Sequence, residues 1–173
     1  MRLFVAIELY SEQFKEIQDS LRNIKGKMTF PKTYHITIKF LGEVDESKID
    51  EIKQKLVSIK FDKFSLTLDK LGVFPNENYV KVLWIGVKPH EQLKELQAKV
   101  EESLKGFNFR KDHKFHPHIT IARVKFLKDK EGFKKLLKQE IKEERFVVDS
   151  FKLIKSTLEK TGPVYEDILE QLL

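Results

Sequence analysis

The amino-acid sequence predicts an α+β protein built by internal duplication, in which two antiparallel sheets face a central cleft and helices cover the outer faces. The duplication is indicated by the tetrapeptide His-Ile-Thr-Ile, which stands at residues 35–38 and again at 118–121. The flanks are repeated as well, because 12–18 reads Glu-Gln-Phe-Lys-Glu-Ile-Gln and 91–97 reads Glu-Gln-Leu-Lys-Glu-Leu-Gln. Each half also has a similar order of helical and strand-like segments. Together these observations predict two lobes related by a pseudo-twofold axis.

Four segments carry apolar residues at the three- and four-residue spacing of a helix that packs on a core. Their apolar faces are, in chain order, Phe14, Ile17, Leu21 and Ile24; Ile49, Ile52, Leu56 and Ile59; Leu93, Leu96, Val100 and Leu104; and, less regularly, Phe133, Leu136, Leu137 and Ile141. Alternating or β-branched runs predict strands between them. The predicted strands are 3–9, 34–41, 64–68, 79–87, 118–124, 146–153 and 164–169. Each half is therefore expected to run β-α-β-α-β-β.

The two halves are not separated by a linker rich in proline or glycine. We therefore expect one bilobal domain over residues 1–173, with approximate repeats 1–78 and 79–173. An exchange of strands between the two lobes is compatible with this organisation.

Composition excludes several classes of protein. The chain of 173 residues has no cysteine, which excludes disulfide frameworks, cysteine-ligated metal centres and cysteine nucleophiles. The longest apolar run, 3–7, ends at Glu8 and is too short for a signal peptide or a membrane span. We expect a cytoplasmic protein, and a monomer because no long apolar stripe is left to be covered.

The charge balance has two interpretations. Lys and Arg number 33 against 27 Asp and Glu, for a net charge of +6. Clustered cations attract nucleic acid through its phosphates. A surface rich in lysine and glutamate is also typical of proteins from hyperthermophiles. Charge alone leaves a phosphate-binding face and a solvated, heat-tolerant surface equally open.

The repeated motifs carry the chemistry. Because alternate side chains of a strand share a face, His35 and Thr37 point one way while the isoleucines of the motif point the other. His118 and Thr120 do the same in the second copy. If the lobes are related by a twofold axis, two imidazoles face each other across one cleft. Two imidazoles can act as base and acid in an in-line displacement at phosphorus, and two hydroxyls can hold the phosphoryl oxygens. The alternative for a single motif is a polar strand edge, but two copies in matching places favour function.

Two cations near the motifs are candidate substrate contacts. Arg123 follows Thr120 by three residues, so strand parity points it with the isoleucines unless a bulge intervenes. A phosphate contact and a structural ion pair are both open for it. Lys39 lies on the His35 face by parity and would add positive charge there, or else is simply solvated.

His113, His116 and His118 form an H-x2-H-x-H pattern that could bind zinc. No carboxylate stands at a matching spacing, and His118 already has a role opposite His35, so we expect no metal and no cofactor. His116 is then a group behind or beside the catalytic pair.

Aromatic side chains could stack on a base, as they do in proteins that bind single-stranded nucleic acid. Phe4 is the first candidate because the opening strand should lie beside the motif strand. Phe74, Tyr79 and Trp84 are further candidates, and core packing is the alternative for each. Substrate specificity is expected in loops such as 73–78 and 105–115.

The sequence resembles the 2H phosphoesterase superfamily, whose members carry paired His-x-Thr/Ser-x motifs in a duplicated chain. It is most similar to the RNA 2',3'-cyclic phosphodiesterases, also called 2'-5' RNA ligases. The resemblance spans the whole chain and is carried by Arg-Leu-Phe-Val-Ala-Ile at 2–7, His-Ile-Thr-Ile-Lys-Phe-Leu-Gly at 35–42, Phe-His-Pro-His-Ile-Thr-Ile-Ala-Arg at 115–123 and Gly-Pro-Val-Tyr-Glu at 162–166.

The resemblance implies metal-free opening of a 2',3'-cyclic phosphate at an RNA end to a 2'-phosphate. The related reverse chemistry would join such an end to a 5'-hydroxyl through a 2'-5' linkage. It also implies that His35 and His118 are the acid-base pair and that Thr37 and Thr120 bind phosphate. We assign His118 as the proton acceptor and His35 as the proton donor, although pseudo-symmetry leaves the reverse open. A non-catalytic module that binds RNA ends and a hydrolase of another cyclic nucleotide are the alternatives.

Overall fold

The computed structural model describes residues 1–112 and 114–173. In these residues nine strands form one antiparallel sheet. The strands are β1 (Arg2–Glu8), β2 (Gly26–Thr29), β3 (His35–Glu43), β4 (Phe64–Asn76), β5 (Tyr79–Lys88), β6 (His118–Leu127), β7 (Arg145–Val148), β8 (Ser150–Glu159) and β9 (Gly162–Leu172). The helices are α1 (Glu12–Arg22), α2 (Ile49–Val57), α3 (Glu91–Ser103) and α4 (Lys130–Leu137), with 3-10 turns at Glu46–Lys48 and Lys105–Phe107.

The strand order is symmetric about the two motif strands. It runs β7-β4-β5-β6-β3-β1-β8-β9, and β2 pairs with β6 outside this path. On one side of the motif strands, β5 lies next to β6 and β4 next to β5. On the other side, β1 lies next to β3 and β8 next to β1. Each side draws strands from both predicted repeats, because β4 precedes residue 79 and β8 follows it. This order is what an exchange of strands would produce, while the repeat boundaries themselves stay a prediction.

The α+β class and the antiparallel pairing are confirmed, but the strands form one sheet where two were expected. The reason is that β3 and β6 pair directly, through Ile36 and Ile119. The sheet must also curl. β7 pairs with β4 near one end of the order and β8 with β1 near the other, yet only Asp149 separates them along the chain. The two ends of the sheet therefore approach each other, since two residues span at most about 7 Å.

α1 and α3 bury apolar faces that their spacing predicted, whereas α4 buries only Phe133 and ends at Leu137, before the predicted Ile141. In α1 the buried apolar side chains are Phe14, Ile17 and Leu21, and in α3 they are Leu93, Leu96 and Val100. Ser11 caps α1, because its hydroxyl accepts a hydrogen bond from the backbone N–H of Gln13 at 3.1 Å. The amide of buried Gln18 on α1 donates to the carbonyl of Ile121 at 3.0 Å. This bond anchors α1 to the second motif strand.

Several boundaries differ from the sequence prediction. β2 was missed because it has one apolar residue and no alternation. The predicted strand 146–153 is two strands, since the chain crosses at Asp149 from one side of the sheet to the other. β4 extends to Asn76, so most of the expected loop 73–78 is strand. In the described residues, every helix is either too short or too polar to cross a membrane.

Candidate active site

The pairing of the motif strands places four side chains on one face of the sheet. Ile36 and Ile119 are opposite each other and fully buried beneath the helices. Residues that are directly opposite in an antiparallel pair share a face, so the neighbours of both isoleucines lie on the other face. We call that side of the sheet the site face. The four half-buried side chains on it, here called the motif quartet, are His35, Thr37, His118 and Thr120.

The register sets the distance between the two imidazoles. When the pairing of Ile36 with Ile119 is continued by one residue in each direction, His35 lies opposite Thr120 and Thr37 lies opposite His118. The two histidines are then diagonal neighbours, which are about 7–8 Å apart across a strand pair. This spacing accommodates one phosphoryl group between them. The sequence had predicted opposite walls of a cleft, and the structure places the two pairs side by side instead.

Acidic side chains surround His35. Its Nε2 lies 3.7 Å from a carboxylate oxygen of Glu8, which is opposite His35 in the sheet. The Nζ of Lys152 lies 3.5 Å from this carboxylate of Glu8 and 2.7 Å from the carboxylate of Asp167. Burial lowers the pKa of His35 below its usual value, while the charges of Glu8 and Asp167 raise that pKa. The carboxylates therefore favour the protonated imidazole.

Aromatic rings hold the His35 imidazole edge-on. Phe4 is 5.6 Å from it between ring centroids and Tyr165 is 5.1 Å away, both in T-shaped geometry. Phe4 was expected to stack on a base. Only 5% of Phe4 is exposed, however, because it packs in a small cluster with Ala6, Ile154 and Tyr165. Phe4 therefore fixes the ring of His35 and offers no open face to a nucleobase.

His118 is held by a hydrogen bond that selects its tautomer. Nδ1 lies 2.6 Å from the backbone carbonyl of His116. A carbonyl only accepts, so Nδ1 carries the proton and Nε2 of the neutral ring keeps its lone pair. Burial lowers the pKa of His118; this bond raises it, and the charges of His116 and Arg123 lower it further. Among the described residues, no carboxylate raises the pKa of His118 as Glu8 raises that of His35.

An aromatic box surrounds His118. Phe74 meets its ring edge-on at 5.0 Å, and Trp84 lies at 6.1 Å. The exposed ring of His116 packs against Trp84 at 4.9 Å and lies 6.1 Å from the ring of His118. The indole lies flat across Gly72, since a Cβ there would overlap Cη2 and Cζ2 of Trp84.

Gly72→Ala is therefore expected to displace Trp84 and loosen the box. The added methyl cannot be accommodated without moving the indole, and overpacking of this kind costs about 1–3 kcal/mol. We expect a lower melting temperature together with a higher KM, measured by calorimetry and steady-state kinetics. Gly106→Ala is the matched control, because a Cβ at Gly106 meets no atom within 4 Å. Equal behaviour of the two variants would contradict this role of Gly72.

Matching β-bulges interrupt both motif strands. In β3 the register shifts so that Val5 pairs with Lys39 and Ala6 with Thr37. The extra residue reverses strand parity, so Lys39 turns to the helix side. Lys39 is 1% exposed and its Nζ donates to Glu101 at 2.6 Å. The expected place of Lys39 on the His35 face is wrong for this reason.

The bulge in β6 moves Arg123 onto the site face. Leu83 pairs with Ala122 and Trp84 with Thr120, so buried Ala122 takes the place that Lys39 has in β3. Arg123 is exposed, and its charge acts on His118. Between a phosphate contact and a structural ion pair, this placement favours the phosphate contact.

The H-x2-H-x-H pattern includes His113, which lies outside the described residues. Within 1–112 and 114–173, no three His, Cys, Asp or Glu side chains come together as metal ligands. The expected specificity loop 105–115 begins with the 3-10 turn Lys105–Phe107.

Sequence reasoning missed the polar partners of His35. Glu8, Lys152 and Asp167 were not singled out. A signal did exist for Glu8, because a carboxylate follows the apolar run 3–7 and shares strand parity with Phe4. Lys152 and Asp167 lie in strands of the other half of the chain, and only the pairing of β8 with β1 and β9 brings them near.

Comparison with known proteins adds independent findings. A family model described as the 2'-5' RNA ligase superfamily matches residues 9–159. An RNA 2',3'-cyclic phosphodiesterase of Methanocaldococcus jannaschii is 37% identical over 98% of this chain and 99% of its own length. One of Thermotoga maritima is 36% identical over 98% of this chain and 94% of its own.

Solved structures have the same fold. TT0787 of Thermus thermophilus is 27% identical with a TM-score of 0.75, over 100% of this chain and 98% of its own. Escherichia coli LigT complexed with 3'-AMP is 24% identical with a TM-score of 0.75, over 99% of this chain and 97% of its own. The latter likeness concerns the fold alone.

Proposed function

The chain belongs to the 2'-5' RNA ligase superfamily, and from this we infer that its site hydrolyses the terminal 2',3'-cyclic phosphate of RNA. The enzyme is a hydrolase of the RNA 2',3'-cyclic phosphodiesterase type, as its curated relatives are. One structural observation carries the mechanism that we propose. Two imidazoles in unlike surroundings share one face with two threonine hydroxyls, one imidazole beside a carboxylate and the other with Nε2 free to accept a proton.

The different surroundings of the two imidazoles assign His118 as the base and His35 as the acid. His118 Nε2 takes a proton from water, whose oxygen attacks phosphorus opposite the 3'-oxygen. The bond between phosphorus and the 3'-oxygen breaks, and protonated His35 gives a proton to the departing oxygen. The products are a 3'-hydroxyl and a 2'-phosphate. General acid-base catalysis of this kind contributes about 10²–10⁴-fold for each proton transfer.

The hydroxyls and the arginine bind the phosphoryl oxygens. Thr37 and Thr120 occupy the other diagonal of the motif quartet, each opposite one of the imidazoles, where they can donate to the non-bridging oxygens. Arg123 adds a positive charge on the same face, and a guanidinium can bind two phosphate oxygens at once. No step of this scheme routes through a metal ion or a cofactor.

The test is incubation in EDTA with a short RNA that ends in a 2',3'-cyclic phosphate. We expect only the 2'-phosphate, resolved from the 3'-phosphate by chromatography or by mass spectrometry after selective dephosphorylation. Zinc- or manganese-dependent turnover would favour the histidine-cluster alternative. RNA binding without any product would favour a binding module. Adding an RNA with a 5'-hydroxyl to the same assay detects the reverse, joining reaction.

The pH profile of kcat/KM tests the assignment of roles. The productive enzyme has neutral His118 and protonated His35, so activity rises as His118 loses its proton and falls as His35 loses its own. Burial lowers the pKa of both below 6.5, and Glu8 and Asp167 partly restore that of His35. We expect a bell-shaped profile with its maximum below pH 6.5.

Glu8→Gln should move the alkaline limb of this profile to lower pH, because the variant removes a charge that raises the pKa of His35. The acid limb should stay in place. Glu166→Gln is the control, since Glu166 pairs with Lys155 and its side chain is largely exposed. Movement of the acid limb instead would overturn the assignment of His35 as the group that must be protonated.

The RNA partner follows from this proposal. A cytoplasmic location and a monomeric state stay predictions from the sequence.

A further inference from the structure

The site face continues beyond the motif quartet along β6 and its neighbour β2. Thr29 pairs with Arg123 and Lys27 with Phe126. Met28, between them on β2, packs on the hydrophobic core, so Lys27 and Thr29 point to the opposite side. Because paired residues share a face, Lys27, Arg123 and Phe126 all lie on the site face.

This part of the site face is cationic and carries exposed aromatic rings. Phe126 is 46% exposed and Tyr79 60% exposed. Lys81 lies 4.6 Å above the Tyr79 ring and reaches the carbonyl of Lys125 at 3.5 Å, which joins β5 to β6 here. Val80 packs on the hydrophobic core, so its neighbour Tyr79 points to the site face, where Lys81 covers its ring. Lys125 is exposed and is the extra residue at the register shift between Lys27 and Met28. We call the six residues the basic track: Lys27, Tyr79, Lys81, Arg123, Lys125 and Phe126.

The symmetry-related end of the site has different chemistry. The repeat offset makes Phe40 the counterpart of Arg123 and Glu43 the counterpart of Phe126. Phe40 packs against Phe4, and the carboxylate of Glu43 pairs with the N-terminal amine of Met1. A polyanionic strand is therefore drawn to the end that carries the basic track.

The position of the departing 3'-oxygen also places the RNA at the end of the site that carries the basic track. Along β6 the chain passes first His118 and then Thr120, which lies opposite His35. Arg123 follows beyond Thr120, on the His35 side of the motif quartet. The departing 3'-oxygen is on the His35 side in the proposed mechanism. The ribose that holds it is thus on the side of the motif quartet from which the basic track extends.

We propose that the RNA strand that precedes the cyclic phosphate lies along the basic track. Its phosphates contact Lys27 and Lys125, and one base stacks on Phe126, as is typical of single-strand binding by cations and aromatic rings. This inference rests on the proposed function for the position of the RNA end. It adds that the enzyme distinguishes an RNA end from a mononucleotide by contacts remote from the reacting phosphate.

The test compares two substrates for a Lys27→Gln/Lys125→Gln variant. One is an RNA of eight nucleotides ending in a 2',3'-cyclic phosphate, and the other is 2',3'-cyclic AMP. We expect kcat/KM for the RNA to fall by about tenfold at low salt, and its logarithmic salt slope to flatten by about 1.4 for two lost phosphate contacts. Turnover of the mononucleotide should stay as in the parent enzyme. Phe126→Ala should also lower kcat/KM for the RNA by about tenfold, with the salt slope unchanged.

A matched control removes the same charge from the outer surface. Lys55→Gln/Lys94→Gln changes two exposed lysines of α2 and α3, on the helix side of the sheet. An equal loss in this control would overturn the proposal, because net charge and not the track would then be responsible. An unchanged kcat/KM for the RNA in the Lys27→Gln/Lys125→Gln variant would overturn it as well.

Binding of an RNA of the same sequence that ends in a 3'-hydroxyl measures RNA binding by the basic track independently of catalysis. Fluorescence anisotropy should show weaker binding by the track variant than by the control variant, whether or not the parent enzyme turns over either substrate. Equal binding by both variants would overturn the track. Absence of turnover by the parent enzyme with this binding difference intact would overturn the proposed function alone.

Discussion

Replacement of either motif histidine with alanine is expected to lower kcat for an RNA 2',3'-cyclic phosphate by about 10²–10⁴-fold. Each ring transfers a different proton, so neither can replace the other. His35→Ala leaves the departing 3'-oxygen without an acid, and His118→Ala leaves the attacking water without a base. The double variant should lose little more than the worse single variant, because the two rings act as one unit. Single-turnover kinetics with saturating enzyme measures these losses apart from binding.

RNA affinity should persist in both variants, since the threonines, Arg123 and the basic track remain. His90→Ala is the matched control, because the imidazole of His90 contacts the carbonyl of Val87 ahead of α3, away from the site face. The control should keep the parent kcat. Turnover that survives in His35→Ala or His118→Ala would remove that histidine from the mechanism.

Removal of the partner of buried Lys39 is expected to cost the most stability. Glu101→Ala leaves the Lys39 ammonium 1% exposed, with the carbonyl of Arg110 at 3.0 Å as its remaining partner among the described residues. Breaking a buried pair by deleting one partner costs about 3 kcal/mol. For a chain of this size that free energy lowers the melting temperature by about 6–12 °C. Calorimetry or thermal unfolding followed by circular dichroism measures the change.

Two further variants separate this effect from the loss of a surface charge. Glu102→Ala removes a neighbouring exposed carboxylate and should change stability by no more than about 0.5 kcal/mol. Lys39→Met/Glu101→Ala replaces the buried cation with an apolar side chain of similar size and should recover most of the loss. Equal stability of Glu101→Ala and Glu102→Ala would show that Lys39 does not depend on its ion pair.

The two halves of the site have diverged around a common frame. Both motif strands have the same parity, the same bulge and the same buried isoleucines. Aromatic rings pack against both histidines, but His35 also lies beside the carboxylate of Glu8, which pairs with Lys152, whereas His118 lies near the cations His116 and Arg123. This difference breaks the symmetry of two otherwise equivalent imidazoles, because opposite charge favours protonated His35 and cations favour neutral His118.

The sequence by itself determined the class of fold, the buried faces of α1, α2 and α3 and the motif quartet. Period-two and period-3.6 patterns are local, and a repeated tetrapeptide on a strand determines which side chains share a face. The family could be identified from the same residues, and the comparisons confirm it.

Only the tertiary structure decided how the two motif strands pair, to which face of the sheet Lys39 and Arg123 point, and which side chains surround each histidine. A bulge adds one residue to a strand and reverses parity after it, and no local pattern in 35–43 or 118–127 marks that residue. The carboxylates near His35 come from β1 and β9, and the aromatic rings near His118 from β4 and β5. Contacts between segments so far apart in the chain depend on strand order and register, which are settled when the whole sheet forms.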